Sequence, residues 1–313
     1  MKSQAFRDNV DDMFMVTAAL AKYSVSWTYY SAVQLQIFER QLLGVSHRNY
    51  YSAVRRNEQL EPDPQHDELI EWVQKIADAS DYTYGVRRMK RALNSLGYPV
   101  GKQRTRALMK EADVSVRRRR KYKVTTNSDH QQPVFDNVLS RDFDAQKPDQ
   151  AYVSDITYIW TQEGWLYLAV VIDLFSRKVV GWSMSSRMSA QLVCDALTMA
   201  LWQRKPKAGL IHHSDRGSQY ASRQFRQLLA QYKVTGSMSR KGDCWDNAVV
   251  ESFFGTLKQE RVQWRHYQSR HAAQQDILQY ITMFYNSQRM HSYLDYKSPN
   301  QYEADMANLG KAA

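Results

Sequence analysis

The chain has 313 residues, 43% hydrophobic and 24% charged, a composition that suits about two globular domains and excludes extensive disorder. Its 43 Lys and Arg against 32 Asp and Glu give a net charge of +11, and its two cysteines exclude a disulfide scaffold, a zinc ribbon and a four-thiolate iron–sulfur site. No apolar run approaches the roughly 18 residues of a membrane helix, so we expect a soluble, intracellular, basic protein.

The N-terminal segment 1–60 is the least informative part of the chain. Gln41–Tyr51 is compatible with a helix and turn, whereas Met1–Gln36 contains no motif that supports an interpretation. We treat 1–60 as a poorly defined helical segment.

Three short helices are predicted within a module that spans 61–123. Apolar residues recur there at helical spacing over Asp67–Ala79, Tyr84–Leu96 and Lys102–Ala112. Short helices with tight glycine turns and basic faces are typical of a helix-turn-helix-like DNA-binding module. A structural helical bundle without a ligand is the alternative.

The same module contains the whole excess of positive charge. From Tyr82 to Lys123 there are fourteen Lys and Arg against two acidic residues, while the other 271 residues carry 29 basic and 30 acidic side chains. Such a concentration indicates a surface for a polyanion, although the block Arg117–Lys123 alone would equally suit a solvated linker. The candidate DNA contacts are Arg87, Arg88, Arg104, Arg106, Arg117, Arg118, Arg119, Arg120 and Lys121.

A polar linker is predicted over 124–150, and the pattern then changes to alternating strands and helices. We predict strands at Tyr152–Trp160, Trp165–Leu174, Lys178–Met184, Leu210–His213 and Lys233–Gly236, and helices at Ser189–Gln203, Ser222–Tyr232 and Asp246–Val262. This order predicts an α/β fold with an RNase H-like core, a mixed five-stranded sheet with flanking helices, over 151–265. A C-terminal helical extension of the core would follow over 266–313.

Three carboxylates are misplaced for ordinary packing. Asp155 lies inside a strand pattern, Asp215 directly follows a strand, and Glu251 lies on the last predicted helix. At about 100° per residue, Glu251 lies within about 40° of Asn247 and Lys258, away from the apolar arc of that helix. Taken singly, each acid is more readily explained as structural: Asp155 as an edge-strand residue, Asp215 as a turn residue and Glu251 as a solvent-facing residue. Together they can converge at one end of the sheet.

Such a cluster suits hard divalent cations. Mg2+ prefers oxygen ligands, and two such ions about 3.5–4 Å apart can assist an in-line phosphoryl displacement. Three carboxylates without a cation would repel one another. By contrast, Asp173, after the buried strand, is expected to cap a turn, and the soft thiol of Cys244 is a poor ligand for Mg2+.

Three strings of the sequence resemble the bacterial OrfB transposases of the insertion sequence 3 family, within the DDE transposase and retroviral integrase superfamily. They are SDITYI around Asp155, HHSDRGSQY around Asp215 and DNAVVESFFGTLK around Glu251. Thirty-five residues separate Asp215 from Glu251, the spacing typical of that group, and the family's cation stands seven residues further, at Lys258.

The resemblance extends over roughly residues 38–305. The family's C-terminal motif is matched at Tyr285, Asn286, Arg289, His291, Leu294 and Pro299, with Met290 where Pro is usual. Tyr84–Arg88 through Leu108–Glu111 resembles its helix-turn-helix segment, and Leu43–Ser46 with Tyr50–Tyr51 resembles its upstream helical motif. No leucine zipper is visible before Phe38; in this family it lies in a separate upstream frame.

The resemblance implies roles for individual residues. Asp155, Asp215 and Glu251 would be catalytic and would hold two Mg2+ ions, for which Mn2+ could substitute, and Lys258 would contact DNA near the terminal base pairs. His213, Arg216, Trp245 and Asn247 lie beside the acids in sequence, as supporting residues or DNA contacts. The integrase-type His-His-Cys-Cys module is missing from the sequence, so no zinc is expected.

The implied function is DNA transposition. Water would cleave the element at its terminal inverted repeat, and the exposed 3′-hydroxyl would attack target DNA directly. The expected partners are these DNAs, further copies of the chain and the upstream-frame product OrfA, in the bacterial cytoplasm at the nucleoid. The alternatives are a catalytically silent repressor or domesticated remnant and a general RNase H-like nuclease; the three acids disfavour the former, and the basic module disfavours the latter.

Overall fold

The computed structural model describes residues 64–117, 133–140, 142–240 and 247–312. The predicted helix at Gln41–Tyr51, with the rest of segment 1–60, lies outside these residues. No helix in the described ranges is long and apolar enough to cross a membrane.

Three helices open the described chain, as the apolar spacing predicts. They are α1 (Pro64–Ala79), α2 (Val86–Ser95) and α3 (Lys102–Glu111). Helix α2 ends where Gly97 adopts a φ of +93°, in the left-handed region that favours glycine. Their apolar stripes meet in one small core, formed by Leu69, Val73, Ala77, Met89, Leu93, Val100, Leu108, Met109 and Ala112.

A mixed five-stranded sheet forms the centre of the larger part of the chain. Its strands are β1 (Ala151–Thr161), β2 (Gly164–Asp173), β3 (Val179–Ser185), β4 (Ile211–Ser214) and β5 (Thr235–Met238). Their spatial order is β3-β2-β1-β4-β5; β1, β2 and β3 pair antiparallel, whereas β1, β4 and β5 pair parallel. The predicted RNase H-like order of elements is therefore the observed one, and β1 is the central strand.

Helices cover both faces of this sheet, which explains the apolar run of β2. One face packs against α4 (Ala190–Arg204), α5 (Ser218–Ala221) and α6 (Arg223–Gln231). The other packs against α7 (Ala248–Glu260) and α8 (Arg270–Gln279). A strand buried on both faces lacks alternation, and β2 residues point into both cores: Leu166, Leu168, Val170 and Ile172 into one, Ala169 and Val171 into the other.

The chain after α8 returns to the sheet through irregular turns. A π-helical turn spans Tyr280–Tyr285 and a short 3-10 turn spans Ser292–Leu294, whereas another 3-10 turn, Val262–Trp264, lies between α7 and α8. The last helix is α9 (Pro299–Ala312). Asn286 holds the π-helical turn to strand β3, because its side chain both accepts from the amide and donates to the carbonyl of Val179 (3.0 and 2.9 Å).

A partly buried ion network anchors α9 to the sheet. The guanidinium of Arg204 contacts the carboxylates of Asp149, Asp173 and Glu303 at 2.7, 3.4 and 2.9 Å. Asp173 also accepts a hydrogen bond from the amide of Phe175 (3.1 Å), so it caps the turn after β2 as predicted. Burial raises the pKa of Asp173 to about 7.

The predicted polar linker is described over 133–140 and 142–150, where it contains no helix or strand. This segment nevertheless packs on the sheet. Leu139 is buried in the core, and the amides of Val138 and Leu139 donate to the hydroxyl of Ser237 on β5 (3.0 and 3.1 Å). It covers an edge strand that would otherwise expose unpaired backbone groups.

Candidate active site

The strand register brings Asp155 and Asp215 together. Strands β1 and β4 are parallel neighbours, and their last paired residues are Ser154 and Ser214. Asp155 and Asp215 each follow one of these serines, so the two aspartates occupy matching positions at the same end of the sheet. Because β1 is the central strand, Asp155 is not an edge-strand residue.

Backbone amides orient both aspartates. One carboxylate oxygen of Asp155 accepts from the amide of Ile156 (2.7 Å), and one of Asp215 accepts from the amide of Gly217 (2.9 Å). A Cβ at position 217 would lie 2.9 Å from that oxygen of Asp215, so the turn requires glycine to approach the carboxylate.

Glu251 reaches the same region from helix α7, where its side chain is exposed. Burial, the carboxylate of Asp215 and that of Glu251 together raise the pKa of Asp155 well above its usual range. Burial and Asp215 likewise raise the pKa of Glu251. The three acids therefore form one electrostatically coupled group.

The chemistry of this group fits a hard divalent cation. Carboxylates are preferred ligands of Mg2+, and a cation would offset the repulsion that, after burial, raises the pKa of Asp155. Within the described ranges, however, no three His, Cys, Asp or Glu side chains converge closely enough to hold one metal ion. The site thus has carboxylate donors and the negative charge that suit a cation.

Lys258 places a cation beside the acids. Its side chain is 9% exposed, and its ammonium nitrogen lies 4.9 Å from the centre of the Tyr158 ring. Burial lowers the pKa of Lys258 to about 8, while the carboxylate of Asp155 acts in the opposite direction. Asn247, which lies on the same side of this helix, is also buried. Two of the three polar residues predicted to share one side of the helix are therefore in the interior.

The supporting residues predicted from sequence lie in different surroundings. Asn247 donates to the carbonyl of Ser154 (3.4 Å) and so joins α7 to the end of β1. Arg216 donates to the carbonyl of Ser239 (2.7 Å). His213 is fully buried, with its ring nitrogens 2.9 and 3.2 Å from the hydroxyls of Ser237 and Ser239. Trp245 lies outside the described residues.

Tyr220 is a neighbour of the acids that the sequence reasoning did not single out. It is 1% exposed, and its hydroxyl has no hydrogen-bond partner among the described residues. Burial and the charges of Asp155 and Asp215 raise its pKa well above the usual value. The only available signal was its position five residues after Asp215, within the string HHSDRGSQY.

The predicted DNA-contacting residues of the helical module divide into two groups. Arg87, Arg104 and Arg106 are exposed on α2 and α3. Arg88 is partly buried, 3.7 Å from the carboxylate of Glu260, and Arg117 is 2.9 Å from that of Asp81. Arg118, Arg119, Arg120 and Lys121 lie outside the described residues.

Three family profiles match this chain. The Integrase core domain matches residues 145–244, a second profile of the same description matches residues 251–306, and the HTH-like domain matches residues 64–122. The two integrase profiles cover the sheet, the acids and the chain beyond Glu251, whereas the third covers the basic helices.

Curated proteins share a large part of the sequence. Transposase InsF for insertion sequence IS3A of Escherichia coli (strain K12) is 46% identical over 224 residues, which are 72% of this chain and 78% of that protein. The Insertion element IS600 uncharacterized 31 kDa protein of Shigella sonnei is 44% identical over 262 residues, 83% of this chain and 95% of that protein. Among solved structures, the HTLV-2 integrase catalytic core domain in complex with magnesium aligns with a TM-score of 0.40 at 16% identity, over 51% of this chain and 99% of that one.

Proposed function

Because the chain belongs to the insertion sequence 3 family of transposases, we propose that it cuts and joins DNA at the ends of its own element. It is a transposase of the DDE type, a polynucleotidyl transferase with an integrase core and an HTH-like domain. Its DNA substrates are the element's terminal inverted repeats and the target DNA.

One observation carries the assignment of the active site. The parallel register of β1 and β4 sets Asp155 beside Asp215, and α7 adds Glu251 and Lys258 to the same end of the sheet. These four side chains derive from three separate elements. Burial and the charges of Asp215 and Glu251 raise the pKa of Asp155, and burial and the charge of Asp215 raise the pKa of Glu251. Local structure alone gives no reason to collect like charges in this way.

We assign Asp155, Asp215 and Glu251 as the ligands of two Mg2+ ions, with Mn2+ as a possible substitute. When bound, such ions activate the attacking oxygen and stabilise the leaving oxygen of a phosphodiester. The protein itself orients the two aspartates through the amides of Ile156 and Gly217. Lys258 supplies positive charge to the DNA strand beside the acids, and the attack by water and then by a 3′-hydroxyl needs no covalent enzyme intermediate.

Binding of the element ends is assigned to the basic module at 61–123, with the catalytic core at 151–265 and its helical extension at 266–313. The exposed Arg87, Arg104 and Arg106 are the described candidates for phosphate contacts. Cleavage of two ends and joining to one target favour a homo-oligomer on DNA. We also propose that the chain associates with the OrfA product and that it acts in the cytoplasm, bound to the nucleoid.

The test is an assay of strand cleavage on labelled element ends. Purified protein, alone or joined to the OrfA product, is incubated with the ends in Mg2+, in Mn2+ and in EDTA, and the products are sized. Asp155→Asn serves as the matched control, since it removes one charge from the site and leaves the basic module unchanged. We expect metal-dependent cleavage by the wild type and binding without cleavage by the variant. Binding without cleavage by every form, in either metal, would favour the repressor.

A further inference from the structure

A second polar cavity lies on a neighbouring face of the helix that carries Glu251. It has a volume of about 320 Å³ and lies between α2, α7 and the chain after the π-helical turn. Its lining includes three arginines, Arg88, Arg177 and Arg289, and, from α7, the hydroxyl side chains of Ser252 and Thr256. We call this space the arginine cavity.

The arginine cavity has an excess of positive charge. Its described lining includes no acidic residue. The carboxylate of Glu260 is 2.7 Å from the guanidinium of Arg289 and 3.7 Å from that of Arg88, and the carboxylate of Asp144 accepts from the hydroxyl of the lining residue Tyr293 (3.1 Å). One carboxylate therefore faces two guanidiniums, and Arg177 adds a third.

Arg177 is the least compensated of the three arginines. It is 8% exposed; one terminal nitrogen donates to the carbonyl of Phe143 (3.1 Å), and the guanidinium lies 4.1 Å from the centre of the Tyr293 ring. Its other terminal nitrogen, Nη1, is buried and has no hydrogen-bond partner in the described part of the chain. A buried donor of a charged group is costly to leave unpaired, so the position calls for an acceptor.

His291 also lines the cavity, and all three guanidiniums influence its ring. Burial and the guanidiniums of Arg289, Arg88 and Arg177 lower its pKa to about 2. Since all three arginines disfavour a positive charge on this ring, they also favour a negative charge nearby.

We propose that the arginine cavity binds a phosphate group of the DNA backbone. Guanidinium forks match phosphate geometry, and the hydroxyls of Ser252 and Thr256 add neutral donors. The cavity is much larger than one phosphate and is bounded by α2 of the HTH-like domain and by α7 of the core, which suits a strand that continues past the phosphate on both sides. This inference rests on the proposed function, because it requires that the chain binds DNA.

The test uses the full chain and changes Thr256, whose side chain lines the cavity on the face of α7 away from Glu251. Thr256→Glu places a carboxylate among the arginines, and Thr256→Gln is its neutral match in size. Affinity for a duplex of arbitrary sequence is measured by fluorescence anisotropy over a range of salt concentrations. Loss of one phosphate contact should reduce the slope of log K against log salt by about 1 and weaken all sequences alike, by about tenfold.

We expect the reduced slope and the weaker DNA affinity in Thr256→Glu and in Arg177→Gln. Thr256→Gln should keep a slope close to that of the wild type. So should Arg223→Gln, which changes an exposed arginine on α6. Thr256→Glu should also melt at a higher temperature than Thr256→Gln, because its carboxylate supplies an acceptor for Nη1 of Arg177. A loss of DNA affinity in Thr256→Glu would then not be due to a folding defect. Equal slopes for the Glu and Gln variants would overturn the proposal.

A melting series with inorganic phosphate separates DNA from free phosphate. If phosphate raised the melting temperature of wild type but not of Thr256→Glu, while both bound DNA with equal slopes, the ligand would be free phosphate and the DNA assignment would be wrong. A wild type that bound DNA without any salt dependence would instead contradict the proposed function itself.

Discussion

Arg289 and Glu260 form a paired contact in the interior, with Nε and Nη2 of the arginine 2.8 and 2.7 Å from the two carboxylate oxygens. Both side chains are about 5% exposed, and the hydroxyl of Tyr280 donates to the same carboxylate (2.7 Å). The contact joins the end of α7 to the C-terminal motif and so fixes the helix on which Glu251 and Lys258 lie.

Replacing Glu260 by Gln should destabilise the protein by about 3–5 kcal/mol, because it leaves the buried Arg289 without a counter-charge. Urea unfolding followed by tryptophan fluorescence measures this loss. The double variant Glu260→Leu with Arg289→Met removes both charges and should cost less than the single change. A single variant as stable as wild type would show that the contact contributes nothing to the fold.

Asp155→Asn should melt at or above the wild type in EDTA. Burial and the charges of Asp215 and Glu251 raise the pKa of Asp155, so the fold disfavours its ionised form, and the change to Asn removes that charge. In Mg2+ the order should reverse, since the wild type gains stability with the logarithm of the metal concentration and the variant loses most of that gain.

Asp276→Asn is the matched control for this melt, because the carboxylate of Asp276 pairs with Arg261 (3.0 Å) and accepts from the hydroxyl of Tyr267 (2.7 Å). It should melt lower in EDTA and in Mg2+ alike. If Asp155→Asn also melted lower in EDTA and responded to Mg2+ like the wild type, the shared metal site would be refuted and the repressor would become the leading function.

The fold and the pairing of the two aspartates could be predicted because both depend on local signals. The spacing of apolar residues predicted the order of strands and helices. Asp155 inside one strand pattern and Asp215 directly after another could therefore be expected to lie close together once those two strands pair in parallel. Strand β5 was predicted two residues early, at Lys233–Gly236, because Gly236 and Ser237 carry little strand signal and Val234 is buried just before the strand begins.

Contacts between distant parts of the chain could not be predicted in this way. Helical spacing places Lys258 beside Glu251 but does not reveal that it is buried against Tyr158. The basic block predicts that Arg117 contacts DNA, but it does not reveal that the guanidinium pairs with Asp81 and lies 5.4 Å from the centre of the Trp264 ring. The surroundings of Lys258 and Arg117 depend on tertiary packing, which the spacing of apolar and charged residues does not reveal.

Acid should weaken the fold through His212. This residue is 1% exposed, its Nε2 lies 2.7 Å from the hydroxyl of Ser154, and burial with the neighbouring His213 lowers its pKa to about 3. In the unfolded chain the pKa of a histidine is near 6.5, so the unfolded chain binds the proton more readily than the folded one. The stabilisation that the neutral His212 gives to the fold is therefore complete above that pH and is lost as the pH falls. At about pH 5.5 the loss is roughly 1.4 kcal/mol.

Urea unfolding at neutral and mildly acidic pH tests this expectation. His212→Gln should lower the free energy of unfolding at both pH values. The difference in that free energy between neutral and mildly acidic pH should become smaller than in the wild type by roughly 1.4 kcal/mol. His271→Gln changes an exposed histidine and should leave the difference as in the wild type. An unaltered difference in His212→Gln would mean that the buried ring does not govern acid sensitivity.

The basic block should separate binding from catalysis. Replacing Arg118, Arg119 and Arg120 by Gln should reduce the salt slope of DNA affinity by up to about 3, because each lost phosphate contact releases one counterion fewer. Arg117→Gln should act mainly on stability, since Arg117 pairs with Asp81. The slopes come from binding titrations at several salt concentrations, and a loss of cleavage at saturating DNA would contradict the separation.

Lys258 tests whether the site reads the ends of its DNA or only their phosphates. Its ammonium group is confined by burial against Tyr158 and near the charge of Asp155, so it has little freedom to follow a displaced strand. Lys258→Ala should therefore lower strand transfer on cognate ends by about tenfold and on ends with altered terminal base pairs by much less, since one discriminating contact is lost. Lys258→Arg retains the charge but not the shape and should recover only part of the preference. Strand transfer on the two kinds of ends is compared at saturating DNA, so that affinity does not enter. An equal loss on every end sequence would assign Lys258 to a phosphate alone, and an equal rate for all three proteins would remove it from the active site.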